Sequence, residues 1–205
     1  MTTQTTTIET VTVVRPLKVI ALVCLFIAVL LLIVCLSTTW WLRSGGFRTG
    51  LFLECTAAAE TLQTIPGAPA PGKCQTPHRY SAYIKAVAAL LIIAAVFTFF
   101  AFILNIFGLK AHDLHRKYFF YKVATYLSLL SVLLELISLV VFPVCFYVEM
   151  KNFGYRNWEF DWSYGVAWGA TLFTFGASLL LICDKEHEEV YYKEKTIYNP
   201  PPELS

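Results

Sequence analysis

The sequence predicts an all-α membrane protein, a bundle of four transmembrane helices that carries a small extracellular β-sheet. Composition is the first observation: of 205 residues, 57% are hydrophobic and 15% are charged, against about 25% charged in soluble domains. The second is a set of apolar stretches of membrane-crossing length. The third is a pair of hydrophilic segments between them in which side chains alternate as in β-strands.

Helices are predicted because the hydrocarbon core of a bilayer, about 30 Å thick, is crossed by about 20 helical residues. The apolar stretches lie at residues 17–39, 86–109, 123–148 and 164–183. None shows the period of two that marks a barrel strand, and open backbone cannot face lipid, so each is interpreted as a helix. The first is longer than the apolar core of a signal peptide and lacks a small-residue cleavage site, so we expect it to be retained.

Lysine and arginine predict which segments face the cytosol. Basic residues gather before the first helix and between the second and third helices: Arg15, Lys18, Lys110, Arg116, Lys117 and Lys122. We therefore assign residues 1–16 and 184–205 to the cytosol and the loops at 40–85 and 149–163 to the outside. Both termini are expected to be cytosolic, in a multi-pass protein of the plasma membrane.

The cysteines divide by location. Cys55 and Cys74 lie in the hydrophilic part of the first outer loop, where an oxidising compartment favours a disulfide, worth about 3 kcal/mol. Cys183 falls at the cytosolic end of the fourth helix and is a candidate for reversible palmitoylation. The other cysteines lie within helices, where apolar filler is the expected role.

Both outer loops are expected to contain strands. Residues 47–55 alternate between two faces after a Gly45-Gly46 turn, and residues 155–162 present one face that is nearly all aromatic. That aromatic face would be covered by the strands of the first loop in a mixed sheet. Aromatic rings that dip into the lipid headgroup region are the alternative.

The first outer loop also carries a family resemblance. Its order is tryptophan, then Gly-Leu-Phe, then two cysteines: Trp40, Trp41, Gly50, Leu51, Phe52, Cys55 and Cys74. This order resembles the signature of the claudin and peripheral myelin protein superfamily, in which a tryptophan stands where this chain has Phe52. The resemblance implies a claudin-like membrane domain at 17–183 and supports the disulfide.

Two further stretches, 15–24 and 160–171, resemble the transmembrane protein 47 branch of that superfamily, and the pair Phe142-Pro143 is also similar. The resemblance implies a role at cell-cell junctions: adhesion with cadherin-based adherens junctions and a link to the cortical cytoskeleton. A claudin-type paracellular barrier or pore is one alternative. An auxiliary subunit of a membrane channel or receptor is the other.

Glu135 is the acidic residue deep in the third apolar stretch. An ionised carboxylate there is costly, so it should face the bundle, carry a proton or bond a serine or threonine hydroxyl. Structural polar contact is favoured over a proton relay, because no other span offers a second buried ionisable residue. Pro143 is expected to bend the third helix near its outer end.

Small residues follow one side of the fourth helix at Gly165, Gly169 and Gly176, a pattern that lets helices approach closely. The contact is either with another helix of the same chain or with a second copy. Contact with a second copy predicts a homo-oligomer within one membrane. Other junction proteins, such as the cadherin complex, are alternative partners.

The cytosolic segments carry short signals only. Residues 184–205 are expected to be disordered, with Tyr191, Tyr192 and Tyr198 as candidate phosphorylation sites and a proline run that could bind a cytosolic adaptor. The basic segment 110–117 suits anionic lipid; its His-x-x-His lacks further ligands for a metal.

Catalysis is not predicted, because the sequence has no phosphate-binding glycine loop, nucleophile elbow or zinc-protease motif. We expect no cofactor, no metal and no small-molecule substrate. A net charge of +2 is too small to indicate nucleic acid.

Overall fold

The computed structural model describes residues 7–10, 16–58, 68–77, 82–111, 113–152, 158–183 and 192–195. Four helices in these ranges are long and apolar enough to cross a membrane: α1 (Pro16–Ser37), α2 (Ala82–Lys110), α3 (Leu114–Asn152) and α4 (Trp162–Cys183). The strands are β1 (Thr7–Thr10), β2 (Leu42–Ser44), β3 (Phe47–Thr49), β4 (Glu54–Thr56), β5 (Cys74–Gln75), β6 (Glu159–Phe160) and β7 (Tyr192–Lys195). The predicted fold class is confirmed.

α2, α3 and α4 extend past the apolar stretches that predicted them, and α3 does so most, whereas α1 ends at Ser37, two residues before the predicted end. It begins at Leu114 rather than at 123 and continues through Pro143 to Asn152. Asp113 helps to start it: its carbonyl accepts the Lys117 N–H at 3.0 Å, and its carboxylate pairs with Arg116 at 3.5 Å. Hydropathy marks the part of a helix that lies in lipid, whereas backbone hydrogen bonds continue into the polar residues beyond it.

Five strands form one sheet in the order β5-β4-β3-β2-β6. Both predicted outer loops contribute, because β6 from the segment before α4 pairs with β2. Every pairing in this sheet is antiparallel, so the prediction of a mixed sheet is wrong. Hairpin connections within one short loop reverse the chain each time and therefore produce antiparallel neighbours.

Two predicted strands are shorter in the structure. The run at 47–55 is interrupted, because β3 ends at Thr49 and β4 begins at Glu54. The turn between them continues the apolar alternation, so a period of two could not reveal it. The run at 155–162 contributes only β6, since α4 already begins at Trp162; residues 153–157 lie outside the described residues.

The core has two apolar clusters. One joins the sheet to all four helices, and we call this end of the bundle the sheet end; its members include Leu32, Trp41, Leu42, Leu51, Leu91, Phe142 and Ala170. The other lies at the opposite end and includes Ala21, Leu25, Ala101, Tyr121, Ala124, Ala177 and Leu181. Between them, α2, α3 and α4 also bury polar side chains.

The terminal segments meet in a second, two-stranded sheet. β1 pairs antiparallel with β7, with Thr7 opposite Lys195 and Thr10 opposite Tyr192. An even number of spans allows this contact, because it returns the chain to the side on which it began. The prediction of a disordered tail is therefore wrong for residues 192–195; the rest of 184–205 lies outside the described residues.

Candidate functional site

The sheet presents one row of side chains away from the bundle. The predicted disulfide joins Cys55 of β4 to Cys74 of β5, and residues directly opposite each other in a ladder share a face. We call this face the outward row: Glu159, Arg43, Arg48, Cys55 and Cys74. In the next row Leu42, Thr49 and Glu54 are buried, so that row faces the helices.

The outward row is basic at its centre. Arg43 and Arg48 lie opposite each other on β2 and β3, and Glu159 lies opposite Arg43 on the other side. The Arg48 guanidinium stacks over the Trp40 ring, 4.3 Å from its centroid. This contact orients one positive charge while Arg43 stays exposed. A surface of this kind suits an acidic protein partner.

Trp41 connects the sheet to the bundle. It is fully buried, and its ring packs edge-on against Phe142 of α3 at 5.1 Å and Tyr164 of α4 at 5.9 Å. Its indole Nε1–H donates to the Cys35 carbonyl at 2.7 Å. That carbonyl belongs to the last turn of α1, where no helical N–H follows to pair with it. Trp41 therefore closes α1 and anchors the sheet.

Tyr164 bonds a carbonyl of α3 that has no helical partner, as Trp41 does for α1. Pro143 has no N–H, so the Leu139 carbonyl loses its helical partner. The Tyr164 hydroxyl donates to that carbonyl at 2.8 Å from the neighbouring helix α4. We define the outer aromatic cluster as Trp41, Phe142 and Tyr164. In it, ring packing and two capped carbonyls hold α1, α3, α4 and the sheet together.

Gly50 begins the turn between β3 and β4, and its backbone lies against the segment that follows α1. A Cβ atom at this position would lie 2.5 Å from the Thr38 carbonyl oxygen and 2.7 Å from Thr39 Cα. The contact leaves no room for a side chain. Leu51 is buried at 4% exposure, whereas Phe52 is exposed at 46%, so the two signature residues after Gly50 point in opposite directions.

The aromatic face of the second loop is only partly covered. Trp158 packs edge-on against Phe146 at 5.6 Å, and Phe160 stacks on Tyr164 at 4.5 Å. Phe160 and Trp162 nevertheless keep 42% and 49% of their surface exposed. The expectation that the sheet covers this face is therefore wrong for these two rings. At the end of a membrane helix, such rings fit the headgroup region of a bilayer.

Glu135 lies in the polar part of the bundle. It is fully buried, and its Oε1 accepts hydrogen bonds from Ser131 at 2.9 Å and Thr174 at 3.4 Å. Thr98 of α2 bonds Ser131 at 2.6 Å. We call these four residues the mid-membrane polar layer. Glu135 thus faces the bundle and bonds hydroxyls, as the sequence predicted.

The glycines of α4 do not all contact another helix of this chain. Among the described residues, no atom lies within 4 Å of a Cβ added at Gly165 or Gly176, whereas at Gly169 the nearest is Leu31 Cδ1 at 3.8 Å. The stripe is therefore mostly open to the surroundings of the bundle. The closest glycine contact between helices is one that the sequence analysis missed: a Cβ at Gly108 would lie 2.9 Å from the Tyr121 ring.

The remaining candidate residues are Cys183 and three tyrosines of the C-terminal segment. Cys183 is exposed at the last residue of α4, so its lipidation stays a prediction. Tyr192 is in β7, while Tyr191 and Tyr198 lie outside the described residues.

Sequence reasoning did not identify the partners of the key residues. Tyr164 and Leu139 were not recognised as a pair, nor were Thr98 and Thr174 as neighbours of Glu135. The missing N–H of Pro143 was a signal for the first pair, because it leaves a carbonyl that needs a donor. The position of Glu135 indicated a hydroxyl partner but not which helix supplies it.

Comparisons with known proteins agree with this arrangement. Residues 16–181 match the PMP-22/EMP/MP20/Claudin family. A relative from Danio rerio, "p53 apoptosis effector related to PMP-22", is 33% identical over 126 residues, which are 61% of this chain and 64% of the relative. The chain thus aligns with somewhat less than two thirds of that relative's length. The narrower branch stays a prediction, but the chain belongs to the PMP-22/EMP/MP20/Claudin family and is a multi-pass membrane protein.

Proposed function

We propose that this protein is a non-enzymatic component of cell-cell junctions in the plasma membrane. It organises adhesion in association with adherens junctions and connects the contact to the cortical cytoskeleton. The observation that carries the proposal is the outward row, which places Arg43 and Arg48 on a disulfide-fastened sheet that shares one core with the helices. A rigid, charged face on a membrane anchor is suited to recognition of a protein surface.

The same architecture supports the proposed orientation. A disulfide is favoured in an oxidising compartment, so the proposal has the sheet outside the cell and β1 and β7 in the cytosol. Two exposed basic residues, Lys110 at the end of α2 and Arg116 in the first turn of α3, agree with this assignment. The cytosolic segments supply the connection to an adaptor.

The test is junctional recruitment in a mixed culture. Tagged protein is expressed in epithelial cells beside non-expressing cells and imaged against cadherin and tight-junction markers. The wild type should concentrate with cadherin at contacts. The double variant Arg43→Glu, Arg48→Glu should lose this concentration, while Lys73→Glu, a matched charge reversal outside the outward row, should keep it.

Other outcomes separate the alternatives. A change in transepithelial ion conductance without cadherin overlap would support a paracellular barrier or pore and contradict the adhesion role. Uniform surface staining would contradict any junctional role and leave an auxiliary subunit. Because the Danio rerio relative is named an apoptosis effector, cell survival is scored in every population, so that cell loss is not mistaken for lost adhesion.

We also propose that copies associate within one membrane through the open face of α4. Gly165→Leu and Gly176→Leu should reduce crosslinked dimers, because each adds bulk where the chain itself leaves space. Ala89→Leu is the matched control, since it adds bulk at an exposed position of α2. Unchanged crosslinking in both glycine variants would exclude this face.

A further inference from the structure

The mid-membrane polar layer is sealed inside the bundle. Thr98, Ser131, Glu135 and Thr174 each have 0% exposure, and they come from three different helices. Their oxygens are close together, with 2.6 Å between Thr98 and Ser131 and 2.9 Å between Ser131 and Glu135. The layer is therefore a compact group of oxygen atoms in a low-dielectric region.

The hydroxyl groups of the layer supply fewer hydrogen-bond donors than the surrounding oxygen atoms can accept. A hydroxyl has one hydrogen and two acceptor lone pairs. Thr98 is placed to donate to the Ala94 carbonyl at 3.0 Å. Thr174 has one hydrogen for either the Ala170 carbonyl at 3.0 Å or Glu135 Oε1 at 3.4 Å, and Ser131 has one for either the Ala94 carbonyl at 2.8 Å or Glu135 Oε1 at 2.9 Å. When a hydroxyl gives its hydrogen to a carbonyl, its lone pairs remain for the centre of the layer.

Glu135 has one oxygen that this arrangement does not serve. Its Oε2 is buried and has no hydrogen-bond partner among the described residues. If the carboxyl is ionised, Oε2 is an anionic oxygen without a donor, which is costly in the membrane interior. If the carboxyl is protonated on Oε1, that oxygen can donate to the Ser131 or Thr174 hydroxyl, and Oε2 remains a carbonyl oxygen without a donor. Oε2 therefore has no donor among the described residues in either state.

We propose that the mid-membrane polar layer binds one monovalent cation, with sodium as the fitting size. The ligands are the Glu135 carboxylate and the hydroxyl oxygens of Thr98, Ser131 and Thr174. An all-oxygen set suits a hard cation, and the single carboxylate balances a single positive charge. A divalent ion would leave an uncompensated charge between the two apolar clusters.

Further buried polar groups lie between the layer and the end opposite the sheet. Asn105 lies about two helical turns beyond Thr98 on the same buried face of α2. Both polar atoms of its side-chain amide are buried without a hydrogen-bond partner among the described residues. Ser128 of α3 is also buried. The proposal therefore includes Asn105 and Ser128 as polar groups that an ion could contact on its way to the layer.

The test is thermal unfolding of the full chain in phosphatidylcholine nanodiscs, in sodium chloride, potassium chloride or choline chloride at equal ionic strength. A ligand that binds only the folded state raises its stability as concentration rises above the dissociation constant. We expect sodium to raise the unfolding temperature saturably above its value in choline, and potassium to do so less. Equal unfolding temperatures in sodium and choline would overturn the proposal.

Variants locate the effect. Glu135→Gln should abolish the sodium response, while Glu149→Gln, the same change at a carboxylate bonded to Tyr83 outside the layer, should keep it. Thr174→Val should weaken the response and Thr174→Ser should retain it, so this pair decides the matter even if Glu135→Gln fails to fold. A full sodium response in Glu135→Gln or Thr174→Val would overturn the site.

Infrared spectroscopy provides an independent readout. A carboxyl that binds sodium is ionised, so the carbonyl band of a protonated acid should be missing at saturating sodium. A band that persists there in the wild type and disappears in Glu135→Gln would show that a proton neutralises Glu135, and the cation site would be rejected.

Discussion

The outer aromatic cluster and the mid-membrane polar layer are both buried between the helices, yet they treat polar atoms differently. In the cluster, the Trp41 indole and the Tyr164 hydroxyl each donate to a helix carbonyl that has lost its own partner. In the layer, more than one acceptor lies within reach of each hydroxyl hydrogen, and Glu135 Oε2 has no hydrogen-bond partner among the described residues. The cluster anchors the sheet with donors and carbonyls that are paired within the protein. The layer leaves an oxygen unpaired, which is the basis of the proposed cation site.

Replacing Trp41 of the outer aromatic cluster by alanine should cause the largest loss in the free energy of unfolding. Trp41→Ala removes a fully buried ring and the hydrogen bond to Cys35, and large-to-small changes of this kind cost about 3 to 5 kcal/mol. Trp40→Ala, in the half-buried neighbour, should cost about 1 kcal/mol or less. Unfolding in detergent measures both. Equal losses would break the distinction between the two tryptophans.

Opening the disulfide should have the next largest effect. Cys55→Ser with Cys74→Ser removes the link between β4 and β5, with an expected cost of about 3 kcal/mol from the larger unfolded ensemble. Because Trp41 still anchors the sheet, the helices should remain folded in circular dichroism. Cys24→Ser is the control. A collapse of helix content would mean that the disulfide, and not the aromatic cluster, is the main anchor.

Removing the Tyr164 hydroxyl should have an intermediate effect. Tyr164→Phe leaves the Leu139 carbonyl unpaired, at a cost of about 1 to 3 kcal/mol. Pro143→Ala restores a helical N–H for that carbonyl, so the hydroxyl should matter much less in that background. A double-mutant cycle measured by unfolding tests this coupling. Additive costs would show that the hydroxyl does not replace the missing N–H.

Neutralising the layer should have the smallest effect on stability. In choline, Glu135→Gln keeps an acceptor for Ser131 and adds donors, so the free energy of unfolding should change by about 1 kcal/mol or less. Glu135→Leu is the comparison, since it removes the acceptor as well. If Glu135→Gln lowers the free energy of unfolding as much as Trp41→Ala does, the layer is as important for stability as the outer aromatic cluster, and the two regions do not differ as proposed.

The sequence was most informative where a property is local. Four apolar runs predicted the helices, because lipid requires each spanning segment to satisfy its own backbone. The position of Glu135 within such a run was sufficient to predict burial and a hydroxyl partner. Alternation was less reliable in the first loop, since it continued through the Gly50 turn and hid the break between β3 and β4.

What the sequence determined by itself was the set of spans, the cysteine pair and the polar residue that needs a partner within the membrane. Only the tertiary structure decided that Trp41 is buried and Phe52 is not, and that the Tyr164 hydroxyl bonds the carbonyl freed by Pro143. It also decided that Gly50 packs against the segment that follows α1. The physical reason is distance along the chain. Hydropathy and helix length are properties of neighbouring residues, whereas these contacts join residues that meet only after the helices have packed.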